Sequence, residues 1–350
     1  MQLALDWKET LLDENSTIRD AIKCLDKSHR QIVLVVSKNM KLVGTVTDGD
    51  IRRGLIKGFS LEEGAKNVTN KKSFVCQEAD ISNPTRIEQF FDQYEINHIP
   101  VINKEGQIKG LYIRNSKKTQ IELKNKFVIM AGGRGERLLP YTKNCPKPLL
   151  KINGKPILEH IIYNAKEFGF RKFIISVNYL GEMIKEYFGD GAKWNIDISY
   201  IEENNRMGTA GSLSFIDNSA NEPVIVSNGD IWSNIDYVDF LKFHTDNSGS
   251  ASMATRLYEW QNPFGVVESK EHELLRFVEK PIHSSQINAG IYIINSDEFN
   301  HLKQDTYCDM PDLFKQIIDN KGKALVYPIH EHWQDIGRIE DFQKLQKEFG

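Results

Sequence analysis

After Lys126 the chain alternates short apolar runs with amphipathic segments, and this order constrains the fold more than any other feature. Residues 127–130, 172–177, 198–202 and 224–227 are short apolar runs and read as strands. Residues 156–168 and 181–188 carry a helical pattern, with Pro156 placed for a first helical turn. Such βαβα order predicts a largely parallel sheet covered by helices, with ligands bound beyond the carboxyl ends of the strands.

The stretch AGGRGERLLPYTKNCPKPLL, from Ala131 to Leu150, lies at such an end. It is not a P-loop, because no GxxxxGK followed by Ser or Thr occurs. It is not a dinucleotide fingerprint, because Gly133-Arg134-Gly135-Glu136-Arg137-Leu138 lacks the third glycine. A glycine-rich turn can be purely structural. Here the free amides are joined by Arg137 and Lys147, a combination suited to a polyphosphate.

The first 120 or so residues repeat at an offset of 66: Val35 meets Val101, Lys38 meets Lys104 and Gly44 meets Gly110. Each copy reads as a helix (residues 17–28 and 84–94) followed by two strands around a polar turn. The segment NSKKTQIELKNK, residues 115–126, is polar and lysine-rich and reads as a linker.

The formal net charge is −3 and 27% of residues are charged, which argues against general nucleic-acid binding. The four cysteines are far apart, with no CxxC or Cys/His cluster, so zinc is not expected and a reduced, cytoplasmic compartment is. No signal-peptide core opens the chain, and no apolar run approaches the ~18–20 residues of a membrane helix.

GTVTDGDIRR, from Gly44, resembles the C-terminal signature of a CBS domain, and HIPV, from His98, resembles the strand entry of a second one. The resemblance implies a tandem (Bateman) module with an adenine nucleotide effector held by Thr47 and Asp50. The second copy carries Ile113 and Ser116 there, so its half-site is expected to be weak or empty. Arg52 and Arg53 suit either a phosphate contact or a solvated helix face.

AGGRGERLLPYTKNCPKPLL is similar to the signature of the sugar-1-phosphate nucleotidyltransferases, and further family motifs follow in order. Met207-Gly208-Thr209-Ala210-Gly211 resembles the base-binding loop, Asn228-Gly229-Asp230 the metal-binding strand end, and Trp333-Gln334-Asp335-Ile336-Gly337 the second metal segment. Glu279-Lys280-Pro281 and Asn288-Ala289-Gly290 resemble sugar-phosphate and sugar contacts. The family implies a Rossmann-like, GT-A-like α/β domain with a mixed, mostly parallel sheet. It implies domains at residues 1–60, 61–120 and 127–350.

The same resemblance implies roles. Ala131, Gly132, Gly133 and Gly135 cradle the triphosphate of an NTP, while Gly208, Thr209 and Ala210 hold its base. Arg137 steadies the leaving pyrophosphate. Lys147 sits between the α-phosphate and the incoming sugar 1-phosphate. Asp230 and Asp335 hold Mg²⁺, Lys280 grips the sugar phosphate, and Asn228, Glu279, Asn288 and Gly290 contact the sugar.

The GTAG form with Glu202 and Glu203 upstream looks like the guanylyltransferases. With a CBS pair in front it resembles the glucosamine-1-phosphate guanylyltransferases of legionaminic acid synthesis. That implies GTP, a hexosamine or hexose 1-phosphate, and a homo-oligomer. The competing reading is a nucleotide sensor with a degenerate transferase domain, but Lys147, Asp230 and Asp335 are all present. From the residues alone Asp230 is equally a turn former, Lys280 an exposed loop lysine, and Asp335 a helix cap.

Overall fold

The computed structural model describes residues 2–349 apart from 5, 29, 80–83, 95, 115–121 and 218–221. The chain divides into two compact units, residues 1–121 and 122–350.

In the first unit the repeat is exact in register. Ile32–Val36 pairs antiparallel with Leu42–Thr47, and His98–Ile102 pairs in the same way with Ile108–Ile113. Val35 faces Gly44 and Val101 faces Gly110, and the β-bulges at Val35/Val36 and Val101/Ile102 coincide under the same offset. The turns match as well. Gly106 has φ +80°, and Met40, its counterpart, takes φ +60°, which a non-glycine residue adopts only under tertiary restraint.

The copies interleave at their edges, so a cut at residue 60 does not separate them. Ala65 and Val68 complete the core of the first copy with Ile18, Val33 and Ile51. Gln2–Leu3 instead joins the sheet of the second copy, beside Ile108–Ile113. Ser116 lies outside the described residues.

The second unit is built on a seven-stranded mixed sheet. Its order is Asp197–Glu202, Phe170–Val177, Leu123–Met130, Val224–Asn228, Ile282–Ile294, Ala251–Gln261, Ala324–Ile329. The first four strands are parallel to one another, and Ile282–Ile294 runs against both of its neighbours. Helices cover both faces and bury two apolar layers. One gathers Phe127, Phe173, Ile161 and Phe240; the other gathers Val128, Val226, Leu213 and Met310. Phe127 and Val128 point to opposite layers because successive strand residues alternate faces. The central strand begins at Leu123, so residues 123–126 belong to the sheet rather than to a linker.

Pro156 is not in the first turn of its helix. It pairs with Lys151 in a two-residue hairpin and precedes the helix Ile157–Glu167. Among the described residues no helix is long and apolar enough to cross a membrane.

Candidate active site

The central strand Leu123–Met130 delivers the chain into the glycine-rich loop. Ala131 is still held by the sheet, its amide donating to Ser176 O at 2.8 Å. Gly132 passes so close to the Glu203 side chain that a Cβ there would lie 3.1 Å from Glu203 Oε1. Gly135 has φ +65°, and a Cβ on it would meet Thr142 Cγ2 at 2.9 Å. Thr142 Oγ1 fixes the same turn by donating to Gly135 O at 2.9 Å. The turn therefore accepts glycine and little else. A second tight turn, Lys147–Leu149, buries the stem of Lys147 and joins its ammonium to the Asp230 carboxylate.

Asp230 follows the strand Val224–Asn228. Ile231–Ser233 pairs antiparallel with Trp333–Asp335, setting Ile231 opposite Asp335, and Ile336 N donates to Asp230 O at 3.1 Å. This pairing brings together two carboxylates a hundred residues apart in the chain. Asp335 Oδ1 is buried and has no hydrogen-bond partner. Burial, then the Asp230 charge, lifts the Asp335 carboxyl above its ordinary range, against the pull of Lys147 and Arg137. An orphaned, desolvated carboxylate oxygen beside a second carboxylate fits a divalent cation. Among the described residues there is no group of three or more His, Cys, Asp or Glu that could hold a metal. The rest of such a shell falls to phosphate and water, as suits Mg²⁺.

Behind this pair the Asn288 amide is used internally. It accepts from Gly290 N at 2.9 Å and donates to Tyr292 OH at 2.7 Å, and burial pushes the Tyr292 hydroxyl up to about 12. In this structure Asn288 shapes the bulge at Gly290 (φ +71°) within the strand Ile282–Ile294 and lines neither of the cleft's two cavities. A Cβ on Gly290 would lie 2.7 Å from Asn228 Nδ2, so the glycine leaves room for that side chain. Asn228 Oδ1 is buried without a partner, a polar atom still waiting for a donor.

The loop Met207–Gly211 is fastened to a segment a hundred residues away. Thr209 N donates to Asp309 Oδ1 at 3.0 Å, and Met310 N donates to Thr209 Oγ1 at 2.8 Å. Ala210 N and Gly211 N both donate to Cys308 O, at 2.9 and 3.1 Å. Gly208 has φ +73°, and a Cβ there would strike Cys308 O at 2.5 Å. From the other side Glu203 accepts from Ser176 Oγ at 2.6 Å and from Met207 N at 3.3 Å, and burial raises its carboxyl.

Two cavities meet in this cleft. The first, about 360 Å³, is lined by Gly132, Gly133, Glu203, Gly208, Thr209, Asn228 and others, including Arg206 and Tyr307. The second, about 300 Å³, is lined by the glycine loop, Arg134, Arg137, Lys147, Asp230 and Gly337. Arg206 and Tyr307 line the cleft and Asp309 anchors its Thr209 loop, and sequence reasoning found none of the three. Arg206 lies just before the GTAG loop, and a lone arginine there carries no motif. Tyr307 and Asp309 reach the site only through folding.

Most expected site residues are thus brought together. Ala131 and Ala210 are not at the surface of the cleft: both are buried and line neither cavity. Glu279 and Lys280 also lie outside both cavities and are exposed. Lys280 has φ +45° immediately before Pro281, a strained position for a lysine. Glu279 faces Gly265, where a Cβ would come within 2.9 Å of its Oε2.

In the first unit Thr47 and Asp50 bond to each other. Thr47 N and Thr47 Oγ1 donate to Asp50 Oδ2 at 2.9 and 2.7 Å, capping the helix Asp48–Ile56. Thr17 and Asp20 make the same arrangement at 3.0 and 2.8 Å at the start of the helix Ile18–Ser28. Arg53 pairs with Asp50 at 2.6 Å. Arg52 is buried, so it is not on a solvated helix face.

The nucleotidyl transferase family model matches residues 126–349. The chain belongs to the nucleotidyl transferase family. A CBS domain model matches residues 9–57. The transferase unit is similar to the mannose-1-phosphate guanylyltransferase catalytic subunit beta of Danio rerio, 32% identical over 227 residues. It is also similar to the UTP–glucose-1-phosphate uridylyltransferase of Synechocystis, 29% identical over 237 residues. Each alignment covers 62% of this chain, and the chain spans 62% and 61% of those relatives' own lengths. A solved Bacillus anthracis structure, assigned as a glucose-1-phosphate thymidylyltransferase and bound to a sucrose, shares the fold. Its TM-score is 0.52 at 24% identity, covering 64% of this chain and 94% of that one.

Proposed function

We propose that the transferase unit joins a nucleotide from an NTP to a sugar 1-phosphate and releases pyrophosphate. The observation that supports this is the meeting of two cavities at Asp230, beside Lys147 and Asp335. One cavity suits a nucleoside, walled by the anchored Gly208 loop. The other suits a polyphosphate, walled by glycine amides and arginines. A phosphate oxygen of the sugar 1-phosphate attacks the α-phosphorus. The bond from the α-phosphorus to the α–β bridging oxygen breaks, that oxygen leaves as a terminal oxygen of pyrophosphate, and no proton need move.

Positioning and charge neutralisation then carry the reaction. The amides of Gly132, Gly133 and Gly135 hold the triphosphate, and Arg137 steadies the departing pyrophosphate. Lys147 offsets the repulsion between two phosphates. Asp230 and Asp335 hold Mg²⁺, which when bound screens phosphate charge. Glu279 and Lys280, in the exposed connection between the strands Glu273–Val278 and Ile282–Ile294, meet the sugar phosphate only when substrate brings that segment to the cleft.

GTP with glucosamine 1-phosphate, or a related hexose 1-phosphate, is the favoured pair. The test is pyrophosphate release with Mg²⁺ across ATP, GTP, CTP, UTP and dTTP against glucosamine, glucose, mannose and N-acetylglucosamine 1-phosphates. Strong release with one pair is expected. Release with a pair other than GTP and glucosamine 1-phosphate keeps the reaction and replaces the substrates; silence across the grid with folded protein sinks it.

For the first unit the reading is regulation by an adenine nucleotide at Thr47 and Asp50. A coupling of ~1–3 kcal/mol is expected, several-fold to about a hundredfold in affinity. Rates that stay unchanged under saturating AMP and ATP would remove this part alone.

A further inference from the structure

Arginines 134, 137 and 206 line the cleft, and none makes an ion pair or hydrogen bond among the described residues. They differ in place. Arg134 and Arg137 belong to the phosphate cavity only. Arg206 lines both cavities, a property it shares with Gly133 and Asp230. The residue that follows it is anchored: Glu203 Oε2 accepts from Met207 N at 3.3 Å, and Met207 O accepts from Cys308 N at 3.0 Å. The Arg206 side chain, in contrast, is exposed. An unpaired guanidinium next to an anchored residue, lining both a nucleoside cavity and a polyphosphate cavity, is placed for one kind of group. Its planar fork matches two phosphate oxygens at once, which a lysine cannot do.

We propose that Arg206 binds the polyphosphate of the NTP from the side of the base loop, tying the nucleoside and phosphate halves of the substrate together. This rests on the nucleotidyl-transfer reading above. It makes Arg206 a substrate-binding residue that adds to the preference for triphosphate over monophosphate given by the glycine loop and Arg137.

The test is calorimetric binding of inorganic pyrophosphate, GTP and GMP to the full chain with Mg²⁺, for wild type, Arg206→Ala and Arg206→Lys. For the alanine variant, pyrophosphate and GTP are expected to weaken by about tenfold to a hundredfold, the range of a lost bond to a charged group. GMP should bind as before, and the lysine variant should fall between. In turnover the KM for GTP should rise by a similar factor, with the KM for the sugar 1-phosphate unchanged. Equal binding of pyrophosphate by wild type and Arg206→Ala overturns the proposal while leaving the function standing. A parallel loss of GMP also overturns it, since the residue then serves the nucleoside or the loop. Wild-type protein that binds neither pyrophosphate nor any of the five NTPs overturns both.

Discussion

Lys147→Met lowers turnover by roughly 10²–10³-fold, the scale seen when one preorganised donor to developing charge is removed. The reason lies in its setting. The ammonium is buried in a tight turn, and its partner, Asp230, is shared by both cavities. On the proposed mechanism the buried stem keeps the ammonium beside the phosphate cavity before substrate arrives. Lys147→Arg keeps the charge but not its compact shape and should recover only part of the rate. Single-turnover pyrophosphate release checks this, with melting curves to show that the fold survives. A methionine variant within threefold of wild type would end the role given to Lys147.

Asp230→Asn is expected to cut Mg²⁺-dependent turnover sharply while the protein stays folded. Metal screening of phosphate charge contributes several kcal/mol, so the loss is roughly 10²–10⁴-fold. A pH dependence accompanies it. The Asp335 carboxyl is held above its usual range by burial and by Asp230. A carboxyl raised in this way keeps its proton to a higher pH than an ordinary aspartate. Proton and metal compete for the same oxygens, so the Mg²⁺ concentration for half-maximal rate should climb as pH falls toward the raised pKa of that carboxyl. Rate against Mg²⁺ at several pH values reads this directly. A half-saturation point independent of pH, or full activity in Asp230→Asn, refutes the carboxylate pair as the metal site.

The parts legible in the sequence are those set by local pattern. The four parallel strands and the glycine loop follow from apolar runs and turn chemistry, which act over a few residues. The repeat in the first unit was legible at Val35 and Val101 because both copies keep the same bulge and turn. What escaped depends on long-range packing. Asp309 clamps Thr209 across a hundred residues, and nothing near position 309 announces a base-loop partner. The motif placed Asn288 among the sugar contacts, yet its hydrogen bonds are spent on Gly290 and Tyr292. Residues 123–126 read as linker because their lysines alternate with other side chains at the edge of a buried strand. Ala131 and Ala210 sit inside the motifs yet face the core.

The Thr47–Asp50 cap has a consequence for any effector of the first unit. The hydroxyl and carboxylate that a ribose and phosphate require are the two groups that close the end of the helix Asp48–Ile56. Ligand and helix end therefore compete for the same oxygens. Releasing an N-cap costs about 1 kcal/mol, which weakens the observed affinity roughly fivefold relative to a site already open. On the proposed regulatory reading, a nucleotide that opens the cap would fray the first helical turn, so amide exchange at Gly49 and Asp50 is expected to quicken when the effector is added, the reverse of the protection a ligand usually confers.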